Sequence, residues 1–150
     1  VIDIMIHNQN VKTLAVIEPA AIIDNASATT IAVDTLGFNE AVFKVLTGAM
    51  DIAMTALKLT ECETSGGSYT DVTGTDFSVS PATLPTATDD NHLFSIYVRC
   101  GGPRKRFLKL LATCGDGSAG TFITGWWDLS EGNNVLQTPA GHGNTQELYV

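Results

Sequence analysis

Basic side chains are scarce. Eight Lys and Arg stand against sixteen Asp and Glu, a formal charge of −8 over 150 residues. A chain so poor in cations is not a general nucleic-acid ligand, because that affinity comes from neutralising phosphates. Cysteine is sparse too: Cys62, Cys100 and Cys114 are odd in number and contain no C-x-x-C pair. That excludes a zinc knuckle and a complete disulfide framework, and makes free thiols the expectation. No uncharged apolar run approaches the roughly 18–20 residues of a membrane helix. Asp3 comes early and no basic stretch precedes an apolar one, so a secretory signal is not expected and synthesis in a cytoplasm is. Charged residues are only 16% of the chain, well below the quarter usual in soluble proteins.

What is present instead is threonine, nineteen residues, and glycine, fourteen, within a composition that is 44% hydrophobic. That balance favours strands and turns over exposed helices. The length suits one domain with one core.

Strand signals recur along the chain. Residues 11–18 form an apolar run ending at Pro19, and residues 29–34 set Thr29, Ile31 and Val33 on one side of an extended segment. Residues 41–46 are ambiguous. Asn39 is a helix-capping residue type, but Gly48 would cost a helix about 1 kcal/mol and Val42 and Val45 favour the extended form, so strand is the expectation. Leu57 and Leu59 alternate with Lys58 and Thr60 until Ser65-Gly66-Gly67-Ser68 turns the chain into Tyr69-Thr70-Asp71-Val72, a hairpin signal. Residues 80–91 read as a long exposed loop. Residues 94–99 and 106–113 read as the two arms of a hairpin turning at Gly101-Gly102-Pro103, which would hold Cys100 and Cys114 too far apart to bridge. After a glycine-rich turn, residues 121–129 form another strand, and residues 147–150 a short closing one. Eight to ten strands with Gly and Pro punctuation predict an all-β, antiparallel β-sandwich or jelly roll. Residues 1–10 and 130–150 are extended flanks of that domain.

Chemical motifs are weak. Gly115, Gly117 and Gly120 satisfy G-x-G-x-x-G, but the residues that follow, Thr121-Phe122-Ile123-Thr124, predict a strand rather than the helix a dinucleotide site requires. A glycine-rich hairpin loop is the better reading. His7, His92 and His142 are far apart and in unrelated contexts, so a Ser-His-Asp triad or a His-based zinc site would need the fold to gather them. Asp89-Asp90-Asn91-His92 offers four adjacent ligand atoms, yet neighbours in an extended stretch point to opposite sides, which favours a loop cap over a metal site. The expectation is a protein that is not an enzyme and takes no cofactor.

The bases are clustered. Arg99, Arg104, Lys105, Arg106 and Lys109 fall within eleven residues that contain no acid. Two readings are open: charges that keep an edge hairpin soluble, or a docking surface for an acidic partner. Phe107 alone gives no stacking platform for bases. Trp126 and Trp127, adjacent on a strand, must face opposite ways, one into the core and the other toward an interface or a sugar.

The series Leu36-Gly37-Phe38, Ala56-Leu57-Lys58-Leu59, Tyr69-Thr70-Asp71-Val72-Thr73-Gly74, Thr88-Asp89-Asp90-Asn91, Arg104-Lys105-Arg106-Phe107-Leu108 and Gly115-Asp116-Gly117-Ser118-Ala119-Gly120-Thr121-Phe122 resembles short structural proteins of tailed bacteriophages. The resemblance spans residues 24–129. It implies a virion component, in particular a capsid cement or decoration protein on the exterior of the head, homo-oligomeric with a trimer favoured, bound to the major capsid protein and to neither nucleic acid nor membrane. A neck or tail protein, or a carbohydrate-binding β-sandwich module, is the alternative.

Overall fold

The computed structural model describes residues 10–19, 22–28, 30–118, 120–132, 138 and 140–146. These contain nine strands: β1 (Val11–Ile17), β2 (Ala26–Ser27), β3 (Val33–Asp34), β4 (Phe38–Met50), β5 (Ala56–Cys62), β6 (Thr70–Asp71), β7 (Leu93–Arg99), β8 (Phe107–Cys114) and β9 (Thr121–Gly132). They form two antiparallel sheets, one in the order β1-β9-β4-β7 and one in the order β2-β8-β5-β6 with β3 also on β8. The architecture is an all-β sandwich. Among the described residues there is no helix, hence none long and apolar enough to cross a membrane.

Alternation builds the core. In β4, Ala41, Phe43, Val45 and Thr47 are buried while Val42, Lys44 and Leu46 face outward, a period of two that settles the ambiguity around Asn39 in favour of strand. Trp127 of β9 is fully buried and meets Phe43 edge-on, ring centroids 5.2 Å apart. Leu57 and Leu59 of β5 and Leu108, Leu110 and Ala112 of β8 close the core from the other sheet. Gly48 allows the tight approach of β4 and β9, since a Cβ there would sit 2.8 Å from that of Phe122.

Several pairings differ from the sequence expectation. The hairpin of β5 with β6 is present, but β7 and β8 are not arms of one hairpin. β7 pairs with β4 and β8 with β5, so residues 100–106 cross from one sheet to the other. Each strand pairs where its inward residues complete the core, and a short glycine-containing connection serves a crossover as well as a turn. The glycine loop at 115–120 is likewise a crossover, from β8 to β9 in the other sheet. Gly115 takes φ +78 there, against Asp24 and Asn25 where a side chain has no room. The strand expected at 29–34 is shorter: of the described residues 30–34 only Val33 and Asp34 pair, and Ile31 is exposed while Val33 is buried, with Thr29 outside the described residues. Residues 1–9 and the closing strand expected at 147–150 lie outside the described residues.

The sheet edges are unequal. β6, β2 and β3 have two residues each. β1 carries an irregularity between Ala15 and Ile17, its Thr13 amide donates to the His142 carbonyl, and Gly143 lies against Thr13. β7 pairs seven consecutive residues with β4 in unbroken register, and no described strand lies on its other side.

Candidate functional site

Four of the clustered bases, none of them buried, find partners on the body of the protein. Glu61, at an inward position near the end of β5, is buried, and the crossover supplies its counter-charge: the Arg104 guanidinium is 3.6 Å away and the Lys105 amide donates to it at 3.1 Å. Lys105 Nζ donates to Thr70 Oγ1. Arg106 grips Asp34 with two hydrogen bonds, of 2.8 and 2.7 Å, and this guanidinium holds the Asp34 carboxyl below its ordinary value. Lys109 Nζ lies 4.8 Å from the centre of the Tyr69 ring. Arg99 is exposed and has no ion pair among the described residues. In place of a projecting basic hairpin the residues form a crossover pinned to the body through partly exposed pairs, with Arg99 unpaired among the described residues at the end of β7.

The two tryptophans separate as alternation requires. Trp127 has no surface to offer a partner, and only the half-buried Trp126 reaches the outside. The acid-rich turn at 86–92 acts as a loop cap. Asp89 accepts from the Thr86 amide and hydroxyl, which lower its pKa, and stands 3.3 Å from His92; Asp90 accepts from the Met50 amide. Thr47 Oγ1 fastens the turn to β4 by donating to the Asp89 carbonyl at 2.5 Å. His142 is buried near β1, so these two histidines occupy unrelated places; His7 lies outside the described residues.

What the fold assembles is the outer face of the four-stranded sheet. Cross-strand register sets Thr124, Leu46 and Leu93 in one row, Trp126, Lys44 and Ser95 in the next, then Asp128, Val42 and Tyr97, then Ser130, Glu40 and Arg99. Tyr97 is 76% exposed, Leu93 55% and Phe122 47%. In their midst Lys44 Nζ lies 2.6 Å from Asp128 Oδ2, and Thr13 Oγ1 donates to Asp128 Oδ1 at 2.8 Å. The ionic group at the centre of the face thus carries no net charge. A shallow depression of about 180 Å³ beside it is lined by Pro19, Leu46, Gly48, Asn91, Phe122 and Thr124. A sheet surface that sets exposed apolar side chains among polar ones, with only a shallow depression in it, suits contact with another protein surface, whereas small-molecule sites are deep and enclosing. The sequence signal for it is the doubled parity of β7: in Leu93-Phe94-Ser95-Ile96-Tyr97-Val98 apolar residues occupy both faces.

No family model, no curated protein and no solved structure matches the chain.

Proposed function

We propose that the chain is a non-enzymatic structural protein of a tailed-phage particle, a cement protein that stabilises the head shell by bridging major capsid subunits from outside. The observation that carries this reading is the group of apolar side chains on the outer face of the four-stranded sheet, where Leu46, Leu93, Tyr97, Phe122 and Trp126 surround the neutralised Lys44–Asp128 pair. The phage resemblance of residues 24–129 supplies the kind of partner. Burial of such a face across neighbouring subunits gives adhesion, and repetition over a lattice multiplies weak contacts. Docking through the basic cluster loses force, because Arg104 and Arg106 already spend their charge on Glu61 and Asp34.

Quantitative mass spectrometry of purified particles from the source virus tests the assignment. A copy number near that of the major capsid protein supports cement, a few copies per particle means neck or tail, and absence overturns the reading. Tyr97→Glu with Phe122→Glu, both on the exposed face, should abolish binding to empty shells while the fold persists. A second reading rests on Trp126 standing beside Lys44 and Asp128, an aromatic next to polar groups as in sugar sites. Retention of the wild type on a polysaccharide column, lost in Trp126→Ala, would favour it.

A further inference from the structure

We infer that two copies of the chain pair through β7, edge to edge and antiparallel, into one continuous eight-stranded sheet. This is independent of what covers the sheet's outer face.

Natural sheets guard their edges with short strands, bulges, prolines, lysines or covering segments. Three guards are visible here: the two-residue strands of the second sheet, the irregularity in β1, and the 142–143 segment laid along β1. Among the described residues β7 has no bulge, proline or lysine, and no segment bonds through its backbone to the free side. It is seven residues long and regular, with no Pro or Lys, and a single charge, Arg99, at its end. Open clefts of about 480 and 260 Å³ separate it from residues 72–77 and 82, the first beside Tyr97 to Cys100 and the second beside Ser95 to Tyr97.

Two hydrogen bonds fix which backbone groups are free. The Cys100 amide donates to the Asn39 carbonyl and the Thr47 amide to the His92 carbonyl, so 39/100 and 47/92 are hydrogen-bonded pairs of the β4·β7 register. In an antiparallel ladder such pairs recur at every second residue. Phe94, Ile96 and Val98 therefore bond to β4, while Leu93, Ser95, Tyr97 and Arg99 direct their amides and carbonyls away from it.

Charge selects a second copy as the occupant. β7 ends at its C-terminus on Arg99, which has Glu40 as cross-strand neighbour but no ion pair among the described residues, and is anionic at its N-terminal end, where Asp89 and Asp90 belong to the turn that leads into Leu93. A two-fold axis at Ile96 opposes Ser95 to Tyr97 and Leu93 to Arg99 of the second copy, joins free amides to free carbonyls, and sets each Arg99 beside the other copy's acidic turn. Such a contact is self-complementary, as an isologous interface must be, and places no like charges opposite each other. A parallel partner strand would set Arg99 against Arg99.

Sedimentation from about 1 μM to about 100 μM tests the pairing, since a dimer's population follows protomer concentration. A mass of two chains at the upper end that falls on dilution is expected. Ser95→Pro removes only an outward amide, which an edge strand tolerates, so this variant should keep the wild-type circular dichroism and run as one chain throughout. Arg99→Glu should weaken pairing roughly tenfold at 0.1 M salt, and less at 1 M, where charges are screened within about 3 Å. A wild type that stays one chain, a mass of three chains, or a folded Ser95→Pro that still pairs would each overturn the inference. If Ser95→Pro does not fold, amide exchange of the wild type decides. Protection of the Ser95 and Tyr97 amides that grows with concentration supports pairing, and protection that does not change refutes it.

Discussion

At the scale of single residues, Trp126 and Trp127 show how far one position of register decides a side chain's work. Trp127 fills the space against Phe43 with no exposed area, and its Nε1 has no hydrogen-bond partner among the described residues. Trp127→Ala should therefore cost about 3–5 kcal/mol of stability, typical of a deleted core aromatic. Trp126→Ala should cost less, about 2 kcal/mol, because its side chain is only partly buried; urea titration of both variants measures the difference. The thiols are graded in the same way. Burial pushes Cys114 up to about 11 and also raises Cys100, which is less enclosed. Alkylation at neutral pH should thus mark Cys100 well before Cys114, read by peptide mass mapping. Because the folded Cys114 pKa lies above the unfolded one, the folded chain holds its proton longer. That stability is present below about pH 8.5 and declines as pH rises from there toward the folded value.

Strands were far easier to read from the residues than their partners. Inward and outward positions of β4, β5, β8 and β9 follow from alternation, and the turn at Ser65-Gly66-Gly67-Ser68 correctly joins β5 to β6. A crossover between sheets has the same local chemistry as a hairpin turn, so Gly101-Gly102-Pro103 could not reveal that β7 leaves for β4 and β8 for β5. The outer face was hidden for a related reason. Leu46, Leu93, Tyr97 and Phe122 lie far apart in sequence and become one surface only once β9, β4 and β7 are neighbours. The counter-charges of the basic run, Glu61 and Asp34, were hidden as well, because they come from other strands. Reversal of Arg104, Lys105 and Arg106 to Glu should consequently destabilise the fold. Breaking a fully buried pair costs about 3–5 kcal/mol. With Arg104 a quarter exposed and 3.6 Å from Glu61, the loss for Arg104→Ala alone should be nearer about 2 kcal/mol, with the triple variant well beyond it in thermal denaturation.

Over the whole molecule, acid should erode stability through carboxylates held in their charged form. Asp34 is lowered chiefly by its hydrogen bonds to Arg106, Asp76 by the Ser78 hydroxyl and amide, and Asp89 by Thr86. Each has a folded pKa below its unfolded one, so its contribution is present above about pH 4 and lost as pH falls through the folded value. Asp34 is 43% exposed, so solvent screening keeps its share small. Asp34→Asn should shallow the acid limb of a stability–pH curve without moving its neutral plateau by more than about 1 kcal/mol. The unequal edges carry a last consequence, for what a concentrated solution of this chain can become. Fibrils need two open borders per molecule, so that each recruit leaves a fresh place for the next. With β7 the one long open border among the described residues, a single partner fills it and nothing more follows. Threonine-rich and weakly charged as it is, the folded chain should stay clear and bind no amyloid dye at high concentration, and fibres should appear only after the segment across Thr13 or the irregularity in β1 has been removed.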